Sequence, residues 1–248
     1  MKDMASKPHT DEVHRKQRVV KNPIKFKISL NEEQKEAKAK ILENTITMLA
    51  GKAGSGKTLL AVQVALDGLL RRHYEKIIIT RPTVSKEEIG FLPGDLREKM
   101  DPWIQPIYQN MFVLYDKVKV EKLIEDGKIE IVPLAFMRGR TFLNSCIIVD
   151  EAQNVTHEQM EMIATRIGLR SKMIICGDDH QVDLRSKRES GFRFLYKSMR
   201  SIKKGIGITL LKNHRDPIVD DLIQIYEEAS ERGILTTSGS SGKSRKKK

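Results

Sequence analysis

Eight consecutive residues, Gly51-Lys52-Ala53-Gly54-Ser55-Gly56-Lys57-Thr58, combine the side chains and backbone freedom needed to wrap an anion. Glycines at 51, 54 and 56 let successive N–H groups turn toward one centre, and a helix starting after them would offer its positive end to the same point. Lys57 adds a cationic point charge and Thr58 a hydroxyl. The run fits G-x-x-x-x-G-K-[ST] and stands between an apolar strand-like stretch and an amphipathic stretch, the context that a phosphate-binding loop requires. It implies that residues 51–58 hold ATP phosphates, with Lys57 reaching the β- and γ-phosphates and Thr58 facing Mg²⁺.

Two further runs end apolar stretches in acids. Cys146-Ile147-Ile148-Val149-Asp150-Glu151 would place carboxylates at the carboxyl edge of a sheet, where ligands of α/β proteins bind. Asp150 could hold a Mg²⁺-bound water, and Glu151 could orient or deprotonate an attacking water. A carboxylate at a helix start, favoured by the dipole, is the plainer reading of Glu151. In Met173-Ile174-Ile175-Cys176-Gly177-Asp178-Asp179-His180-Gln181, Gln181 could contact the γ-phosphate or the water and Asp178 could support a metal from behind. Turn chemistry alone also favours Gly-Asp-Asp, and His180 reads as a surface residue.

Arginines complete the set. Arg81, in Thr80-Arg81-Pro82, could grip a nucleic-acid phosphate bidentately or pair with a neighbouring acid. Arg138, Arg140 and Arg215 could each act as a finger across a subunit boundary or form plain surface salt bridges.

These residues need a scaffold, and the pattern supplies one. Strand candidates are 45–50, 76–80, 129–134, 146–150, 173–176 and 207–211; several are near-continuous Ile/Val/Leu runs, as in strands covered on both faces. Helix candidates are 32–42, 57–71, 157–167, 191–199 and 217–231. Asn31 with Gln34 predicts a capping box, and Asp216-Pro217 a helix start. The alternation implies an α/β domain with a mostly parallel sheet and helices on both faces. Residues 91–115, rich in proline, read as an irregular helical insertion.

Composition narrows the class. With 39% hydrophobic and 31% charged residues, a packed core with polar ends fits better than uniform packing. The formal net charge of +12 is concentrated at the ends: residues 1–28 and 234–248 each carry about +5, which leaves the intervening chain near neutral. Such ends gather polyanions by counterion release, or simply solubilise the chain. The expected organisation is a basic segment over 1–28, a domain over 29–233 and a disordered Gly/Ser/Lys tail over 234–248. No apolar run reaches the ~20 residues of a membrane span and no secretory signal is visible, so a cytoplasmic protein without membrane contact is expected. Cys146 and Cys176 sit in strand-like runs and read as buried thiols.

The ordered set of motifs resembles the PhoH-like proteins, whose ATPase core is similar to the first motor domain of superfamily-one helicases. The resemblance covers about 29–232 and rests on Leu30-Asn31-Glu32-Glu33-Gln34, the loop at 51–58, Thr80-Arg81-Pro82, Gly90-Phe91-Leu92-Pro93-Gly94, Arg138-Gly139-Arg140-Thr141, Asp150-Glu151-Ala152-Gln153-Asn154 and Gly177-Asp178 with Gln181-Val182-Asp183. It implies a single RecA-like domain, with Gln34 reading the adenine edge. Asp179-His180 departs from the small residue and Pro or Ser usual in the family. Nothing resembles the nuclease domain fused to some relatives.

A two-domain helicase closes its ATP site with a second motor half, which residues 29–233 do not contain. A ring of copies, hexameric as the resemblance suggests, would supply that half. The expected function is ATP hydrolysis coupled to binding or moving along single-stranded nucleic acid, RNA ahead of DNA, with catalytic work from Lys57, Glu151, Gln181 and Arg215 and a nucleic-acid contact from Arg81. The alternatives are a nucleotide-gated protein-interaction module and, less well matched to adjacent Asp150 and Glu151, a kinase.

Overall fold

The computed structural model describes residues 26–82, 96–184 and 186–232. The Gly90–Gly94 motif, the 234–248 tail and all but the last residues of the basic N-terminal segment lie outside them. Six strands form one parallel sheet: β1 (Ile46–Gly51), β2 (Lys76–Thr80), β3 (Ile129–Ile131), β4 (Ser145–Val149), β5 (Lys172–Gly177) and β6 (Gly205–Leu210), in the order β3-β2-β4-β5-β1-β6. The helices are α1 (Glu32–Glu43), α2 (Lys57–Leu70), α3 (Leu96–Leu114), α4 (Lys117–Glu125), α5 (His157–Ala164), α6 (Gly191–Ser198) and α7 (Ile218–Glu231).

Strand side chains alternate between two cores, as a period of two dictates. Leu49, Ile77, Ile79, Cys146, Ile148, Ile174 and Cys176 face the layer of α1, α2, α3 and α4. Met48, Ile78, Ile147, Val149, Met173 and Ile175 face the opposite layer, with Met160 and Ile163 of α5 and Phe192 of α6. Both cysteines are buried and reduced, and burial raises both thiols, Cys146 to about 12.

Helix α1 starts at the expected capping box: the Asn31 side-chain Oδ1 accepts from the Gln34 backbone amide at 2.8 Å, and the Gln34 side-chain Oε1 accepts from the Asn31 backbone amide at 3.2 Å. Its far end is closed by the buried Lys172 ammonium, which donates to the carbonyls of Ile41, Leu42 and Asn44 and so fastens α1 to β5. Burial depresses the Lys172 pKa, since desolvation opposes its charge.

Three expectations change. The segment read as irregular contains a continuous helix over Leu96–Leu114 despite Pro102 and Pro106. Ile107, Met111 and Leu114 recur on one face and are buried, so tertiary packing outweighs the lost backbone bond. Helix α4 follows it, with Asp116 capping Lys119, where no element was expected. The third strand stops at Ile131, giving way to a 3₁₀ turn over Leu134–Phe136.

The close approach of α6 to the sheet generates a test. A Cβ on Gly177 would stand 2.7–2.9 Å from three ring atoms of Phe192, whose ring is fully buried. Gly177→Ala is expected to cost about 1–3 kcal/mol by overpacking, read from urea unfolding. An unchanged midpoint would show that the ring can move aside.

Candidate functional site

The carboxyl ends of β1, β2, β4, β5 and β6 converge on one side of the sheet. There the loops after β1, β4 and β5, with Asn110 and Arg215, frame a cleft of about 310 Å³. The chain enters the sheet at β1, crosses to β2 on one side and returns to β6 on the other, so the cleft opens where strand order diverges.

The 51–58 loop bridges β1 and α2. Gly54 and Gly56 have φ of +85° and +80°, a region in which a side chain is strained. Gly56 caps α2 with no side-chain hydrogen bond, and the first turn carries no acid. The first amides of α2 are therefore left for an anion. Lys57 Nζ donates to the Gly51 carbonyl at 2.7 Å and the Lys52 carbonyl at 3.0 Å, which pins the ammonium over the loop with a third hydrogen to spare. Ala53, Gly54, Gly56, Lys57 and Thr58 line the cleft, whereas Gly51, Lys52 and Ser55 complete the loop without lining it. Ser55 is buried, and its hydroxyl has no hydrogen-bond partner among the described residues.

Thr58 Oγ1 donates to Asp150 Oδ1 at 2.7 Å. Asp150 is 5% exposed, and burial, then the charge of Glu151, raises its pKa. A buried carboxylate with a hydroxyl beside it is a donor set suited to a hard divalent cation, whose charge would offset that desolvation. The residues present thus fit Mg²⁺.

Glu151 follows with φ +51° and ψ +38°, a left-handed conformation rare for a side-chain-bearing residue and typical of strained functional turns. Both carboxylate oxygens are engaged: Arg81 Nη2 stands 3.3 Å from Oε1, and Gln153 Nε2 donates to Oε2 at 2.7 Å. Between the two readings of Arg81, the geometry displays the pairing with an acid. Gln153, 1% exposed, also accepts from the Asp178 amide at 3.0 Å through its own oxygen, joining the ends of β4 and β5. Asp178 Oδ1 accepts from the His180 amide, while buried Oδ2 has no partner among the described residues. Gln181 is exposed at the cleft, and His180 is exposed.

After β6 the chain runs back across the loop. The His214 amide donates to the Gly54 carbonyl at 3.0 Å, and a Cβ on Gly54 would stand 2.3 Å from Asn213 Oδ1 and 2.9 Å from Arg215 Cγ. Arg215 thereby lines the cleft of its own chain. Glu33 anchors this segment by accepting from the Leu211 amide at 2.8 Å, and Asn31 Nδ2 lies 2.9 Å from His214 Nε2. Gln34 is 4% exposed and has its oxygen in the capping box, and a Cβ on Gly56 would stand 2.6 Å from its Nε2. Arg140 forms a surface pair with Glu130 at 2.8 Å and stacks over Phe142.

Sequence reasoning assigned no role to Gln153, Glu33 or Asn110, the last of which α3 brings to the cleft. Only Glu33 had a local signal, as an acid in a first helical turn.

A phosphate-binding loop joined through Thr58 to an acid at the end of a non-adjacent parallel strand defines a P-loop NTPase of the RecA-like α/β class. The family model described as PhoH-like protein matches residues 27–227, and the chain belongs to that family. It is 41% identical over 198 residues to a PhoH-like protein of Synechocystis sp., covering 79% of this chain and 60% of that one. It is 43% identical over 199 residues to a PhoH-like protein of Bacillus subtilis, covering 79% and 62%. The chain thus spans about 60% of the length of these relatives. Among solved structures it is similar to the Pif1 helicase of Candida albicans, with a TM-score of 0.42 and 17% identity over 81% of this chain and 44% of that one. A Bacteroides Pif1 bound to ssDNA gives a TM-score of 0.40 and 17% identity over 87% and 51%.

The Gln153 bridge is testable by itself. Gln153→Leu keeps the volume but leaves the Asp178 amide buried and unpaired, so a loss of about 1–3 kcal/mol is expected in urea unfolding. A loss within error of zero would show that water or a backbone shift replaces the bridge.

Proposed function

We propose that this chain binds ATP with Mg²⁺ and hydrolyses it, coupling turnover to single-stranded nucleic acid, RNA ahead of DNA. The observation that carries this reading is the Thr58–Asp150 hydrogen bond with Glu151 beside it at the cleft. It sets a cation-binding pair next to a carboxylate that can act on water.

Lys57 and the α2 amides bind the phosphates. Thr58 and Asp150 hold Mg²⁺, which when bound neutralises phosphate charge. Glu151 orients the attacking water and accepts its proton. Gln181 and Arg215 face the same cleft, where they contact the γ-phosphate and spread its charge. Gln34, in the capping box at the start of α1 and beside Gly56, reads the adenine edge. Arg81, on the neighbouring strand end, contacts the nucleic-acid backbone. The ring expectation stands as a separate proposal, a hexamer that supplies the missing motor half.

ATP turnover by wild type, Lys57→Ala and Glu151→Gln, each with and without single-stranded RNA and DNA, tests the assignment. Glu151→Gln is expected to lower kcat about 10²–10⁴-fold, the usual contribution of a positioned base, with Lys57→Ala similarly impaired and wild type stimulated by one nucleic acid. Full turnover in both variants would remove the site assignment, while unstimulated wild-type turnover would favour a nucleotide-gated interaction module. Sedimentation of wild type with ATP and single-stranded RNA is expected to show a hexamer, and a monomer would remove the ring.

A further inference from the structure

The ion pair between Arg81 and Glu151 joins two residues with different proposed tasks. Glu151 lines the cleft, whereas Arg81 stands beside it at the end of β2. The contact is a single one at 3.3 Å, and the two side chains are 24% and 37% exposed. It is neither bidentate nor sealed from solvent, so an anion arriving at the strand edge can compete for the guanidinium. A phosphodiester is well matched to do so, because its two free oxygens take both prongs of an arginine fork. The other oxygen of Glu151 is held by Gln153 and through it by Asp178, and that tether stays when Arg81 turns away.

We propose that Arg81 is an exchangeable clamp on Glu151: without nucleic acid it holds the carboxylate, and a backbone phosphate of single-stranded nucleic acid takes its place and releases Glu151 toward the cleft. The clamp rests on the hydrolytic reading above and adds the step by which the track would reach the water-handling carboxylate. Coupling of this kind is reciprocal: if phosphate binding frees Glu151, removing the Glu151 charge must favour phosphate binding. The competition exists without ATP or Mg²⁺, so it can be measured in their absence.

Fluorescence anisotropy of labelled oligo(U) and oligo(dT), without nucleotide or divalent cation, reads it directly. Glu151→Gln is expected to bind about two- to fivefold tighter than wild type, the size of a part-exposed ion pair. In an Arg81→Met background the same substitution is expected to change nothing. Equal affinity of Glu151→Gln and wild type, or a gain that persists without Arg81, overturns the clamp, because a general effect of lost negative charge would survive the loss of Arg81. Should oligo(U) and oligo(dT) differ in the size of the gain, the better competitor identifies the source of the phosphate. Failure of wild type and all variants to bind either oligonucleotide would sink the nucleic-acid reading itself, a different outcome from an intact affinity that ignores Glu151. Basal ATP turnover by Arg81→Met supplies the direction: a rise of about two- to fivefold without nucleic acid supports a restraining clamp, whereas a fall would make Arg81 an orienting residue and overturn it.

Discussion

One hydrogen bond ties the architecture together. Thr58 opens α2, Asp150 ends β4, and β5 lies between β4 and the strand that precedes the loop. The 2.7 Å contact therefore spans a strand and fixes the start of α2 against the far side of the cleft. It is possible because β1, β4 and β5 are parallel and in register, Leu49 beside Cys176 and Val149 beside Ile175, so their carboxyl ends lie level. A register slip of one residue would reverse every side chain of the strand between the two cores. The packing that fixes register thus also fixes the distance from hydroxyl to carboxylate.

The inserted strand has a consequence of its own. Because β5 stands between loop and acid, its end, Gly177-Asp178, is enclosed by both. Gln153 links that end to Glu151 through its buried carboxamide, which accepts from the Asp178 amide and donates to one Glu151 oxygen. On the other flank, Glu33 and Asn31 of α1 hold the chain leaving β6, which lies against Gly54. Both sides of the loop are thereby braced by amide and carboxamide donors, two of them on the carboxylates of Glu33 and Glu151, and by one helix start, rather than by ion pairs.

The parts legible from sequence were those with a local physical cause. A glycine-rich turn before Lys57, a buried strand ending in Asp150 and a capping box at Asn31 each declare themselves within a few residues. The capping box formed in both directions, and the second strand has the bounds its apolar run gave. What escaped was long-range. Residues 96–114 look broken because proline is a strong local signal, while the burial of Ile107, Met111 and Leu114 that stabilises the helix depends on partners elsewhere in the chain. Gln153 reads as an ordinary polar residue until the adjacent strand end brings the Asp178 amide to it. Arg81 had two open partners, an acid and a phosphate, and only its position one strand from Glu151 decides which acid it can reach.

The two adjacent carboxylates end in opposite environments, and that contrast separates their chemistry. Asp150 is nearly sealed, receives a neutral hydroxyl, and is pushed toward protonation first by burial and then by the charge beside it. Burial makes its anion costly, and a cation held in the cleft would offset that cost. Glu151 is partly exposed and already has an arginine and a carboxamide as donors. Both of its oxygens have donors without a metal, and what remains adjustable is where those oxygens point. The left-handed backbone at Glu151 makes this division possible, because an extended residue there would carry its side chain along the strand to the next face instead of turning it toward Arg81. Two acids in sequence thus become a site for charge and a site for direction.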